Sequence, residues 1–334
     1  MAYLLNPKLS IHCYLLSHHS FGRLPYTVNT VINKPEISKI HAVIEWEQEQ
    51  WMIRDISKNG TWLNNKKLNE NKKYKLSIKD KICFGEKKAS FFQVIELEPP
   101  CDVLTPQIEN ENFPVYAIPL KDYTILPSEM SPEVVIYRDQ QKLQWCIETV
   151  DHVEHNNQIL DEGSTIKFNN QYWRVQLNKI EVATKKLSLP KTDIERLEFI
   201  FFSSLDEENI HLKIKTPNMM HDLGTRIHHY LTMILARYRA LDSEKGLDHL
   251  SQGWVYTEQL ATDLGIDISH LNIQIHRARK QFVDRLDNVI NSEHLIERRP
   301  GELRLGGSAF KIYKGENLEC QLNSKSDKKL AELL

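Results

Sequence analysis

Three polar stretches decide how the N-terminal part reads: Gly22-Arg23, Ser38-Lys39-Ile40-His41 and Asp55-Ile56-Ser57-Lys58-Asn59-Gly60-Thr61. Asn64-Asn65, Leu76, Asp80-Lys81-Ile82 and Phe84-Gly85 follow them. Around these turn-forming segments lie Val28 to Ile32, His41 to Trp46, Gln50 to Arg54 and Phe91 to Ile95. Those runs are β-branched or aromatic and partly alternating, as half-buried strands are. Asn59-Gly60, Asn64-Asn65 and Ile78-Lys79-Asp80 punctuate them. Many short strands at close spacing predict an antiparallel sandwich over residues 1–97. Its loops then gather at the ends, free to bind.

In their order and spacing, the Gly-Arg, Ser-x-x-His and Asn-Gly-Thr elements resemble a forkhead-associated (FHA) domain, over nearly all of residues 1–97. The resemblance implies a β-sandwich that binds phosphothreonine peptides. A phosphothreonine carries nearly two negative charges and three acceptor oxygens. An arginine fork and a hydroxyl donor answer it with charge-assisted hydrogen bonds, the roles implied for Arg23 and Ser38. Family members usually carry an arginine after the serine; here it is Lys39, which keeps the charge but loses the bidentate fork. Lys58 falls where members often add another phosphate contact, and Asn59 is implied to hold the peptide backbone. Gly22, His41, Gly60 and Thr61 are implied to support the loops. The other reading is a sandwich kept for docking after losing its phosphate site.

The chain has 334 residues, 41% hydrophobic and 26% charged, enough for two to three domains with ordinary cores. Its formal charge of −2 hides a partition. Residues 1–97 hold 15 Lys/Arg against 9 Asp/Glu, net +6; residues 98–192 hold 9 against 14, net −5; residues 193–315 hold 16 against 18, net −2. No apolar run approaches the ~20 residues of a membrane helix, and the start lacks the apolar core of a secretory signal, so a cytoplasmic protein without membrane contact is expected. Five scattered cysteines show no Cys-x-x-Cys pair and predict neither disulfides nor a zinc ribbon. The histidine pairs His18-His19, His152/His155 and His228-His229 read as surface and packing residues, with no metal site. No phosphate-binding glycine loop or nucleophile motif is present, so neither a cofactor nor an enzyme is expected.

Residues 98–113 and 178–192 read as linkers. Between them, residues 114–177 predict a small β-rich module from Val134 to Tyr137, Leu143 to Ile147, Thr165 to Phe168 and Tyr172 to Val175. Asn156-Asn157 to Ile166 echoes Asn64-Asn65 to Ile82. The module reads as a packing or spacing unit or as a degenerate FHA-like half-repeat; it lacks the phosphate motifs, and its net −5 would repel a phosphate.

Residues 193–315 begin with a hairpin, Leu197 to Ser203 and Ile210 to Lys215, then a helix over Leu223 to Leu241. Thr257 is expected to cap a short helix ended by Gly265, and Ser269 to cap a long one reaching about Asn288. The long helix has one apolar stripe, Leu271, Ile275, Ala278, Phe282 and Leu286, opposite a basic polar face. Leu295 to Leu305 forms a hairpin tipped by Pro300-Gly301. This order resembles the winged-helix effector domain of OmpR/PhoB-type response regulators, with residues 316–334 as a tail. The resemblance implies a helix in the major groove, where Arg277 contacts guanine, Gln274 and His276 read neighbouring edges and Ile273 touches a thymine methyl. Arg279, Lys280, Arg298, Arg299 and Arg304 are implied to contact phosphates.

The expectation is a multidomain protein: an all-β FHA sandwich, a small β-rich middle module and an α+β winged helix-turn-helix. It is read as a phosphothreonine-dependent regulator that couples a Ser/Thr kinase pathway to double-stranded DNA. The alternative is an adaptor whose winged helix docks protein. From Ser269 to Arg304 the charge is only +2, so a homodimer or a phosphorylated partner is expected to strengthen any DNA grip.

Overall fold

The computed structural model of the chain describes residues 1–8, 11–86, 91–107, 117–139, 142–150, 158–178, 192–286 and 289–323. Contacts divide the chain into residues 1–120 with 161–183, and residues 121–160 with 184–334. The first unit opens with β1 (Tyr3–Asn6), β2 (Ile11–Tyr14), β3 (His18–Gly22), β4 (Thr30–Val31), β5 (Ala42–Glu47), β6 (Gln50–Asp55), β7 (Thr61–Leu63), β8 (Lys66–Lys67), β9 (Lys73–Lys75), β10 (Lys81–Phe84) and β11 (Phe91–Glu96). They form two sheets, β2-β1-β11-β10-β7-β8 and β4-β3-β5-β6-β9. Alternation drives the packing: β6 buries Trp51, Ile53 and Asp55 and turns the residues between them outward. Leu4, Ile82, Phe84, Phe92 and Val94 from one sheet share a core with Phe21, Ala42, Ile44, Trp51 and Ile53 from the other, which makes a β-sandwich. The strand expected at Val28 to Ile32 shrinks to β4, a two-residue edge parallel to β3. Asn29 is diverted there: its side chain accepts from the Ser20 amide (2.9 Å) and hydroxyl (2.8 Å).

Next come β12 (Val103–Pro106), β13 (Ile118–Pro119), β14 (Tyr123–Pro127), β15 (Pro132–Asp139), β16 (Gln144–Thr149), β17 (Gln158–Leu160), β18 (Thr165–Phe168) and β19 (Gln171–Gln176). They pair as β13-β12-β19-β18, in the first unit, and β14-β15-β16-β17, in the second. Part of the expected 98–113 linker is therefore strand. Val103 and Leu104 are buried and Val103 to Pro106 pair with β19, so apolar content outweighs the proline signal. Residues 108–113 and 179–191 of the two expected linkers, the Asn156-Asn157 echo and His152/His155 lie outside the described residues.

These pairings repeat those of the N-terminal sandwich. Taken in chain order, β12 to β19 pair as do β1, β2, β3, β5, β6, β9, β10 and β11. The connection from β3 to β5 runs from residue 23 to 41, whereas its counterpart from β14 to β15 has only residues 128–131. The stretch that carries the Gly-Arg and Ser-x-x-His motifs is thus cut to a turn.

The second unit continues with β20 (Thr192–Asp193), β21 (Glu198–Ser203), β22 (Ile210–Lys215), β23 (Met220–Thr225), α1 (His228–Glu244), β24 (Val255–Tyr256), α2 (Thr257–Leu264), α3 (Ile268–Arg285), β25 (Val289–Ile290), β26 (Ile296–Arg299), β27 (Glu302–Leu305), β28 (Ala309–Lys314) and β29 (Asn317–Leu322). One sheet runs β23-β22-β21-β28-β29 and a second runs β24-β27-β26. Helix α1 starts later than expected because Met220–Thr225 pairs with β22. Part of the expected tail is β29, which pairs with β28; residues 324–334 lie outside the described ones. Neither expected cap is used. Thr257 is the first residue of α2 and its hydroxyl donates to the Gly301 carbonyl (3.1 Å), while Asp267 caps α3 by accepting from the His270 amide (2.7 Å). Gly265 ends α2 at φ +65°, as expected. The stripe Leu271, Ile275, Ala278, Phe282 and Leu286 is buried throughout.

Phe282 is fully buried and stacks on Phe199 at 5.9 Å. Phe282→Ala should cost about 3–5 kcal/mol of stability, read as a lower urea midpoint for the second unit. His19, buried beside Cys13 and Thr30, has its pKa lowered from 6.5 to about 3, chiefly by loss of solvent. The unfolded chain takes up this proton near 6.5 and the folded one far lower, so stability complete at pH 7 declines on acidification. From His19 alone the N-terminal sandwich should lose about 2 kcal/mol between pH 7 and pH 5, measured by urea unfolding at each pH.

Candidate functional site

The loops at one end of the N-terminal sandwich are tied to one another by hydrogen bonds. The Arg23 amide donates to the Ser38 carbonyl (2.9 Å), its Nε to the Ile37 carbonyl (3.2 Å), and the Ile32 amide to the Gly22 carbonyl (2.8 Å). Only glycine fits at 22: a Cβ there would lie 2.1 Å from the Lys39 carbonyl oxygen. The chain after β3 and the chain before β5 therefore run against each other, and Arg23 lies beside Ser38.

His41 joins that pair to the third loop. It is fully buried; its Nδ1 accepts from the Ser38 amide (3.1 Å), so its Nε2–H donates to the Gly60 carbonyl (3.1 Å). Burial lowers its pKa, against opposing contributions from Gly60 and Asp55, and keeps the ring neutral. The third loop is shaped from inside by Asp55. One of its oxygens accepts from the Ser57 hydroxyl (2.7 Å), the Ser57 amide (3.2 Å) and the Thr61 hydroxyl (2.9 Å). The Ser57 hydroxyl in turn accepts from the Gly60 amide (2.7 Å). Gly60 takes φ +103°, which closes the turn. Lys58 and Asn59 are left at the tip, exposed. The Lys58 amide donates to the Ser38 hydroxyl (3.1 Å), and the Asn59 side-chain amide to the Glu36 carbonyl (2.6 Å).

Arg23, Ser38, Lys39, Lys58 and Asn59 are thus brought to one rim, with Gly22, His41, Gly60 and Thr61 beneath it. Asp55 and Ser57 had no role assigned from sequence, yet they hold the tip; the signal was a side-chain acceptor two residues before a hydroxyl, in a segment between strands.

The residues singled out on α3 and the hairpin sit differently. The expected basic outer face is largely closed. His276 is fully buried and its Nδ1 lies 2.8 Å from the Tyr123 hydroxyl. Gln274 is buried with its amide 3.0 Å from His270, and Ile273 packs against Tyr123 and its neighbours. Arg279, also buried, donates to the Ile296 carbonyl (2.5 Å) and lies 3.6 Å from Glu148. Arg277 donates to the Glu129 carbonyl (2.6 Å), and Lys280 pairs with Asp284 (2.6 Å) and Glu129 (3.3 Å). On the hairpin, Arg298 donates to Asn272 (2.8 Å), and Arg304 is buried against Glu297 (2.6 Å) and the Leu250 carbonyl (2.7 Å). Arg299 is exposed, over the Trp254 ring at 4.3 Å and paired with Glu302 (2.5 Å). A cation's burial depends on its tertiary partners, which periodicity along a helix does not reveal.

Among the described residues no group of three or more His, Cys, Asp or Glu is placed to hold a metal ion. No helix there is long and apolar enough to cross a membrane.

No curated protein matches the chain. Several solved structures are similar to its N-terminal part. The N-terminal FHA domain of Rad53p from S. cerevisiae, in complex with a phosphothreonine peptide, is 29% identical over 24% of this chain and 66% of that one, with a TM-score of 0.21. An FHA domain of an Arabidopsis thaliana hypothetical protein is 24% identical over 30% and 85%, with a TM-score of 0.25. EmbR of Mycobacterium tuberculosis, in complex with a low-affinity phosphopeptide, is 21% identical over 29% and 25%, with a TM-score of 0.26. Residues 19–85 match the family model for the FHA domain, and the N-terminal part of this chain is an FHA domain.

Proposed function

We propose that this protein is a phosphothreonine-reading signalling protein whose C-terminal part is a winged helix that binds double-stranded DNA. One observation carries the first half: Arg23, Ser38, Lys39, Lys58 and Asn59 meet at one exposed rim braced by buried hydrogen bonds. A guanidinium, two ammonium groups and a hydroxyl there answer a dianionic phosphate. Asn59, which donates to the Glu36 carbonyl, exchanges that contact for the backbone of the bound peptide. A phosphorylated protein from a Ser/Thr kinase pathway supplies such a ligand.

The second half rests on element order: α2, a turn at Gly265, α3, then the β26–β27 hairpin with β24 beside it. That order supports the reading as a helix-turn-helix with a wing. A second reading, an adaptor whose winged helix docks protein, is favoured by the protein cover on α3.

Calorimetry with a phosphothreonine peptide library and its unphosphorylated forms tests the first half. Binding should need the phosphate, and Arg23→Ala should weaken it by about 3 kcal/mol, on the order of 100-fold. Equal affinity of the wild type and Arg23→Ala for these peptides would sink the assignment. Gel shifts with genomic fragments test the second half: affinity should fall steeply as salt rises from about 50 to 200 mM. Absence of any shift at the lower salt decides for the adaptor.

A further inference from the structure

The polar face of α3 is covered by a sheet of the same unit, and the cover is chemically unusual. Ile273 and Val283 meet Tyr123, Ile125, Val135, Tyr137, Cys146 and Val150 in a small apolar contact. Most of the remaining contacts are polar. Tyr123 bonds His276, Asn272 donates to the Val150 carbonyl (2.9 Å), Arg277 to the Glu129 carbonyl, and Arg279 and Lys280 face the carboxylates of Glu148 and Glu129. Nucleic acid offers the same groups, anionic oxygens to the cations and carbonyl acceptors to the amide and guanidinium donors. Residues 121–160 carry 3 Lys/Arg against 7 Asp/Glu, net −4.

The polar part of the contact uses groups that nucleic acid can replace. Buried ion pairs return little net stability once desolvation is counted, so swapping Glu148 for a phosphate costs little. Positive charge is also crowded there: burial and the neighbouring Arg279 push the Arg298 guanidinium down to about 10. The turn that reaches Arg277 and Lys280 is residues 128–131, the shortened counterpart of the N-terminal phosphate-reading connection.

We propose that the β14–β17 sheet is an intramolecular stand-in for DNA on α3, and that DNA binds by displacing it. This rests on the DNA-binding reading above. By linkage, loosening the sheet must tighten DNA, and DNA must loosen the sheet.

Cys146, buried within the apolar contact, is a native probe of that loosening. In the full chain, its alkylation rate is followed by mass spectrometry with and without a 30-base-pair genomic duplex at low salt. The comparison protein carries Tyr123→Phe and Glu148→Gln, which remove two polar contacts and preserve shape. Duplex binding should rise at least 10-fold in the double variant, and duplex should speed Cys146 alkylation at least 10-fold in the wild type. Equal affinity in both proteins, with Cys146 unaffected by bound duplex, overturns the stand-in and leaves DNA binding intact. Faster alkylation of the double variant with no duplex bound by either protein overturns the DNA-binding reading, and the stand-in with it.

Discussion

One neutral imidazole holds the loops at the rim of the FHA domain together. His41 accepts from the loop that carries Ser38 and donates to the loop that carries Gly60, so the two are set at a fixed distance by a single rigid ring. The bond from Ser38 does not tolerate a second proton on the ring, because a protonated Nδ1 would meet the Ser38 amide donor head-on. Burial against Phe84, edge to face at 5.8 Å, supplies the low-polarity setting that keeps the proton off. Everything exposed at the rim stands on this arrangement: Arg23 through Ser38, Lys58 through the Ser38 hydroxyl, and Asn59 through the turn that Gly60 closes.

The FHA domain was legible because its constraints are local and leave residue-type signatures. Gly22 has no room for a Cβ, Gly60 needs a left-handed backbone, and both appear in the sequence as glycines at fixed distances from polar residues. The apolar stripe of α3 was legible for a similar reason, since a 3.6-residue period names its own face. Strands β12, β23 and β29 were not. Each is short or polar and is strand chiefly through a partner elsewhere in the chain: Gln171–Gln176, Ile210–Lys215 and Ala309–Lys314. Tertiary pairing overrides local propensity in such segments.

The largest misreading concerned charge. A sequence assigns a positive residue on a polar helix face or a hairpin to solvent, and Arg279 of α3 and Arg304 of β27 are buried instead. Arg239 is the extreme case: fully buried in α1, it donates to the carbonyls of Leu305 (2.7 Å) and Gly307 (3.1 Å). It ties the end of the hairpin to a helix far away in sequence. Such residues serve as multivalent donors to backbone carbonyls, a use of arginine that charge counting cannot distinguish from a surface cation.

The repeated pairing order has a consequence for how the chain comes to be folded at all. Two successive stretches with the same strand scheme offer each strand a wrong partner at the equivalent place in the other copy, and adjacent like domains misassemble by that exchange. Divergence guards against it. Phe91-Phe92-Gln93-Val94-Ile95-Glu96 and Gln171-Tyr172-Trp173-Arg174-Val175-Gln176 hold the same place but present different side chains. The first buries Phe92 and Val94, the second Trp173 and Val175, and a tryptophan does not fit a cavity shaped for phenylalanine without strain. The difference in side chains between the two stretches therefore disfavours an exchange of strands between them, independent of what either stretch binds.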